Sequence, residues 1–375
     1  MRSNGFKIGK IFGIEIFIDY SWFIIFVLIT WLLAAQFFSS FNPQASILIN
    51  IILGTITSLL FFASVLTHEL AHSIAAKRNG IKVNRITLFL FGGISELFEE
   101  PTSAKTEFKV AIVGPLTSFL LAALFGLLYL VFRSHANLIN FTLVFSTLAE
   151  INLLLGFFNL LPGFPLDGGR ILRSIVWAVN KNLKNSTYIA TLGGRIVAII
   201  IVFIGILRGI TTDFFGGVWL ILIGLFLYQA AGQSYLELLI RLALEKVRIK
   251  EIMNPNIVSV SPFLTINDLI EEYFIKYNYI TLPVIRNNVI VGTISLDDIR
   301  NSSEDLESAS RVHEVMKQNT NNLYLEQEDK VLDALKQMVA HKVSFISVRN
   351  HDHDQLIGIL TLDDIAKYLS DKNVI

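Results

Sequence analysis

Long apolar runs and short alternating ones divide the chain into two unlike parts. Up to about residue 240, six stretches are apolar for long enough to cross a hydrocarbon core, which takes roughly 20 helical residues. They cover 20–38, 47–76, 108–132, 138–161, 195–210 and 215–232. Ahead of the first, Lys10–Asp19 (KIFGIEIFID) alternates with period two and reads as strand. Val83–Ser95 (VNRITLFLFGGIS), β-branched and punctuated by glycine, reads the same way. The first long run starts near Tyr20 without a small-residue cleavage site, which reads as a retained membrane helix and not a signal peptide.

Beyond about residue 245 the pattern becomes that of a soluble α/β domain built from an internal repeat. IKEIMNPNIVSVSP is echoed by RVHEVMKQNTNNLYLEQ, with Met253 and Met316 63 positions apart. NNVIVGTISLDDI is echoed by DQLIGILTLDDI, with Gly292 and Gly358 66 apart. Each copy reads strand, helix, two strands, helix, over 246–305 and 310–371, and the polar stretch 302–310 (SSEDLESAS) links them. The expected fold class is therefore a polytopic α-helical membrane protein with six transmembrane helices, in residues 1–240, followed by a cytoplasmic α/β pair.

Composition agrees with this division. Hydrophobic residues make up 53% and charged residues 17% of the 375, with a mean hydropathy of +0.58. Soluble proteins carry about 25% charged residues, so the deficit points to membrane burial. Lys+Arg and Asp+Glu are both 31, which leaves no basic excess for nucleic acid. Cysteine is absent, excluding disulfides, thiol catalysis and Cys-ligated metal. Segments 1–19, 77–109, 162–195 and 241–250 hold 18 Lys/Arg, whereas the three alternate loops and the run ends beside them hold only Arg133 and Arg208. By the positive-inside rule both termini, and with them the repeat domain, lie in the cytoplasm of a multi-pass cell-membrane protein.

The second apolar run contains THELAHSIA, with His68, Glu69 and His72. Residues i and i+4 share a helix face, so both imidazoles can reach one ion, with Glu69 near enough to take a proton from water. The alternative is a pair of polar side chains packed inside a bundle; ionisable groups at membrane depth are costly and usually functional. A zinc site needs a third protein ligand. Without cysteine, the candidates are a His or a carboxylate near the membrane, and NLLPGFPLDGGR at the end of the fourth run contains Asp167. Runs two and four cross in the same direction, so their ends meet at one face. The alternative for Asp167 is a helix-capping carboxylate.

HELAH in a membrane helix followed by NLLPGFPLDGG resembles the site-2 protease family of intramembrane zinc metalloproteases (peptidase family M50), in its branch with six membrane helices and an appended CBS pair. LFGGIS (Leu90–Ser95), EFKVAIVGPLTSFL (Glu107–Leu120) and an amphipathic helix at Arg170–Asn180 extend the likeness. The resemblance implies one Zn2+ per chain held by His68, His72 and Asp167. Glu69 would be the catalytic base and Asn159 would assist substrate or oxyanion. The substrate would be a membrane-anchored protein, hydrolysed at a locally unwound peptide bond. The two strand patterns offer an edge for an extended substrate, with contacts at Gly92 and Gly93; the alternative is a plain hairpin. Gly114 and Pro115 read as helix-packing positions.

GTISLDD and GILTLDD resemble the glycine–Ser/Thr–Asp signature of CBS domains. That resemblance implies adenine-nucleotide (ATP or AMP) contacts at Ser295, Asp298, Thr361 and Asp364, and homodimerisation through the pair. The alternative is that these residues cap the following helices. A bound nucleotide would gate access to the membrane site through Tyr235–Lys250. His351 and His353 read as a solvated loop, with metal binding as the alternative. The competing function is a CBS-regulated transporter or channel whose ion path is the His/Glu/Asp cluster.

Overall fold

The computed structural model describes residues 5–41, 43, 45–89, 92–97, 101–135, 138–276, 281–286, 289–302, 310–318, 324–341, 343–350 and 356–374. The chain separates into two compact units that divide between Leu238 and Leu239.

The first unit opens with a small sheet. Strands β1 (Gly5–Ile11) and β2 (Ile14–Asp19) form an antiparallel hairpin, so the alternating run at Lys10–Asp19 is split and not continuous. The break is a two-residue turn with positive φ at Phe12 (50°) and Gly13 (77°), the geometry that matches strand twist in a tight hairpin. β3 (Val83–Phe89) lies parallel to β2, and β4 (Gly92–Leu97) antiparallel to β3, in the order β1-β2-β3-β4. β4 is thus an edge strand. Ile14, Ile16 and Ile18, on one face of β2, are buried.

Six described helices, the last of which ends beyond this unit, are long and apolar enough to cross a membrane. They are α1 (Tyr20–Phe41), α2 (Ile47–Arg78), α3 (Ala104–Phe132), α4 (Ile139–Asn159), α6 (Leu183–Thr211) and α7 (Phe214–Leu244), with the amphipathic α5 (Asp167–Asn180) between the fourth and fifth. Ser46, Ser103 and Asn182 cap α2, α3 and α6 by accepting from backbone N–H groups in the first turn. Large apolar side chains such as Leu120, Ile199, Phe203 and Ile210 stay exposed on these helices, as a hydrocarbon surround requires.

The fifth membrane helix begins twelve residues before the apolar run at 195–210. Its first turns carry Lys184, Asn185, Ser186, Thr187 and Thr191, which lower the hydropathy there. Ser186, Thr187 and Thr191 are nevertheless buried, and two of their hydroxyls return to backbone carbonyls at Asn182 and Leu183. The loop 160–166 closes against this segment: Phe164 N–H donates to the Ala190 carbonyl at 3.1 Å. Gly163 and Gly194 touch backbone to backbone, where a Cβ on either would overlap the other strand of chain.

The second unit holds the repeats. β5 (Thr281–Arg286), β6 (Val289–Ser295) and β7 (Lys317–Gln318) form one sheet; β8 (Tyr324–Glu326), β9 (Phe345–Arg349) and β10 (Leu356–Thr361) form the other. Each sheet has its own core, around Leu282, Val284 and Ile294 in one and Ile346, Val348 and Leu360 in the other. The copies exchange their heads. Lys317, from the head of the second copy, pairs with Thr293 in the first, and Asn254, from the head of the first, pairs with Ile359 in the second. Met316 packs on Gly292 and Met253 on Gly358, so the repeated Met and Gly mark one contact made twice. Most of the linker, and His351 and His353, lie outside the described residues.

Candidate metal centre

His68, Glu69 and His72 lie in the C-terminal half of α2, two turns before Lys77 and Arg78 close it. The one-turn spacing stacks the two imidazoles on one face, with ring centroids 4.8 Å apart. Both histidines are 4% exposed. Asp167 comes from a different part of the chain, as the first residue of α5. It does not cap that helix: Leu166 holds the cap position without a side-chain bond. Its carboxylate turns instead to the histidines, with Oδ2 3.1 Å from each Nε2; the two Nε2 atoms are 3.2 Å apart.

The ring nitrogens facing away explain this convergence. His72 Nδ1 donates to the Val110 carbonyl at 2.7 Å, and a carbonyl only accepts. In the neutral ring Nε2 is then a bare lone pair. His68 Nδ1 is 2.8 Å from Ser118 Oγ, which permits the same tautomer. Two imidazole lone pairs and a carboxylate oxygen at this separation repel one another unless a proton or a metal ion lies among them. A tetrahedral ion with bonds of roughly 2.0 Å has edges of roughly 3.3 Å, close to the observed triangle. The donor set therefore fits a divalent ion of zinc's size and taste for nitrogen and oxygen ligands.

Two glycines shape the surroundings. A Cβ on Gly114 would overlap His72 Nε2 and stand 2.6 Å from His68 Nε2, so α3 leaves room for the ion's donors only because this residue has no side chain. Gly114 thus bounds the centre directly, beyond the helix-packing part expected of it. On β4, a Cβ on Gly93 would lie 2.5 Å from Glu69 Cγ and 3.4 Å from Oε1. The edge strand therefore runs against the carboxylate of Glu69. Its neighbour Gly92 has φ 132°, a backbone state reserved for glycine. Asn159 is half-buried at the last position of α4, and no described hydrogen bond joins it to the cluster.

The sequence reading missed the partners of the imidazoles. Glu107, Val110, Gly114 and Ser118 recur at helical spacing on one face of α3, and that stripe of polar and small residues was the available signal. Glu107, buried at the start of α3, forms an ion pair with Arg173 of α5, with Nε donating to Oε1 at 2.6 Å. Arg173 also stacks over the Phe164 ring, 5.1 Å from its centroid. These contacts tie the helix that orients the histidines to the helix that carries Asp167.

In the repeat unit, Ser295 and Thr361 form reciprocal capping boxes with Asp298 and Asp364. Both candidate pairs are therefore engaged as helix caps. One oxygen of each carboxylate, Oδ2, takes the backbone N–H and hydroxyl of the cap residue.

Comparison with known proteins bears on the whole chain. The model of peptidase family M50 matches residues 56–139 and 131–204, and the CBS domain model matches 249–305 and 312–371. Rip3 of Mycobacterium tuberculosis is 30% identical over 370 residues, 98% of this chain and 93% of its own. The chain belongs to peptidase family M50. The zinc metalloprotease MJ0392 of Methanocaldococcus jannaschii is 35% identical over 68% of this chain and 71% of its own. The solved site-2 protease from the same organism is 31% identical, covering 62% of this chain and 95% of that one, with a TM-score of 0.43. This M50 protein is thus a site-2-type zinc metalloprotease, a multi-pass membrane protein carrying a CBS pair, and the transporter reading falls away.

Proposed function

We propose that His68, His72 and Asp167 hold a single catalytic zinc, that Glu69 is the general base, and that the substrate is a membrane-anchored protein cut within or at the edge of the membrane. The observation that carries this reading is the convergence of three acceptor atoms within 3.2 Å of one another, on residues 95 and 99 positions apart in the chain. When bound, zinc supplies a Lewis acid that acidifies water and polarises a carbonyl. Glu69, one residue from His68 on the same helix, takes a proton from the attacking water and returns it to the leaving amine. Asn159 donates to the developing oxyanion, in keeping with its place where α4 gives way to the loop leading to Asp167.

The place of β4 at the edge of the described sheet supports a substrate site. An extended segment pairing there would lie beside Glu69, since Gly93 contacts that side chain, and Gly92 and Gly93 would let its backbone approach closely. Peptide hydrolysis needs an unwound segment, because a helix hides its carbonyls in its own hydrogen bonds. The Lys/Arg asymmetry supports cytoplasmic termini and a cytoplasmic CBS pair. Within that pair an adenine nucleotide at the Ser/Thr–Asp positions would adjust protease activity. The exposed Leu296 and Leu362, equivalent in the two copies, support a homodimer.

The test compares wild type with Glu69→Gln in detergent or vesicles, reading zinc content and cleavage of single-span proteins. One zinc per chain in both, with cleavage by wild type alone, is expected. Equal cleavage by the variant would remove Glu69 from the mechanism, and a metal-free wild type would remove the centre.

A further inference from the structure

The two copies of the repeat carry the same signature, yet they treat its carboxylates differently. Ser295–Asp298 and Thr361–Asp364 form the same capping box, and in each the Oδ2 atom is consumed by the cap. What distinguishes them is the other oxygen. Asp298 Oδ1 is paired with Lys317 Nζ at 2.5 Å, whereas Asp364 Oδ1 meets no cation among the described residues. The cause lies in the exchanged heads. Lys317 sits opposite Thr293, one residue after Gly292; the equivalent residue opposite Ile359, one after Gly358, is Asn254. Asn254 is neutral and turns its side-chain oxygen to its own loop, accepting from Asn256 N–H at 2.9 Å. Asp298 is 6% exposed, while Asp364 is half-exposed.

We propose that Lys317 is a built-in plug: its ammonium occupies the Asp298 half-site, so that a ribosyl ligand enters the pair only at Thr361 and Asp364. The inference rests on the nucleotide reading of the CBS pair given above and adds which half takes the ligand and why. A carboxylate oxygen recognises the vicinal hydroxyls of a ribose by accepting from them. At Asp298 that acceptor is already satisfied by a charge-assisted bond, stronger than one from a sugar hydroxyl. A ligand there must first displace the lysine. At Asp364 no cation among the described residues need leave. Burial by itself would raise the Asp298 pKa, but Lys317 and the Ser295 donors outweigh it and hold the carboxyl below its usual range, so Asp298 is charged at neutral pH.

The experiment is calorimetric titration of the full chain in detergent with AMP. Wild type is expected to bind one AMP per chain; Asp364→Asn abolishes this binding; Lys317→Ala raises the stoichiometry to two. Lys317 is 75% exposed along its side chain but Asp298 is buried, so thermal unfolding of Lys317→Ala is read beside the titration to confirm that the variant is folded. Two AMP bound by wild type, or one that survives Asp364→Asn and is lost in Asp298→Asn, overturns the plug while leaving nucleotide binding in place. Loss of binding in Lys317→Ala would make Lys317 a phosphate contact, which also overturns it. Absence of heat with every variant, Lys317→Ala included, overturns the nucleotide reading and this inference with it.

Discussion

Glu107 and Arg173, 66 residues apart, form a buried ion pair that joins the start of α3 to the middle of α5. One turn on from Glu107, the Val110 carbonyl receives His72; two turns back from Arg173, Asp167 meets both histidines. The pair therefore sets the distance between the two halves of the metal centre. Removing one partner breaks an ion pair whose side chains are only 1% and 6% exposed.

Arg173→Ala is accordingly expected to cost about 3–5 kcal/mol of stability and to lower zinc content together with thermal stability. Glu107→Gln with Arg173→Met, which strands no charge, should recover much of the stability. Thermal unfolding in detergent alongside zinc analysis checks both. Unchanged zinc and melting temperature in Arg173→Ala would mean that α5 is held by other contacts.

The two site glycines should fail in different ways. Gly114→Ala drives a methyl into the imidazole nitrogens and is expected to abolish zinc retention. Gly93→Ala displaces only the flexible Glu69 side chain, so zinc stays while kcat falls on the order of 100-fold, the usual cost of moving a catalytic group by about 1 Å. Loss of zinc in Gly93→Ala would show that β4 braces the histidines as well.

Ser118→Ala removes the partner of His68 Nδ1. Zinc affinity is expected to drop roughly 10–100-fold, measured by competition with a chelator, and Ser118→Thr should restore part of it. An unaltered affinity would mean that packing alone orients the His68 ring.

Asp298 gives the repeat unit a pH dependence of known sign. Its carboxyl is depressed in the folded chain, so its contribution is complete above the unfolded value of about 4 and is lost as the pH falls through the folded one. Wild type should therefore exceed Asp298→Asn in stability at pH 7, with the gap closing below pH ~4. A gap that widened in acid would reverse the assignment. Thr361→Ala, which deletes a helix cap, should cost about 1 kcal/mol, read by the same denaturation.

Periodicity carried most of the architecture. Runs of apolar residues mark the six long helices, because hydrocarbon leaves a helix no other way to present its surface. The two-fold echo marks the CBS pair, and His68 and His72 share a face because a helix repeats every 3.6 residues. Glu69 and the Asp167 turn were legible for the same local reason. The polar first turns of α6 were not: hydropathy averages hide hydroxyls whose partners are their own helix carbonyls. Nor was the break at Phe12–Gly13, where alternation continues across a turn.

Only the tertiary structure brought Asp167 onto the two Nε2 atoms, set Gly93 against Glu69 and Gly114 against the imidazoles, and joined Glu107 to Arg173. It alone exchanged the heads of the repeats, giving one copy a lysine and the other an asparagine at the same place. These contacts join residues separated by tens of positions. No local period encodes them, because they depend on which faces the packed helices and strands turn toward one another.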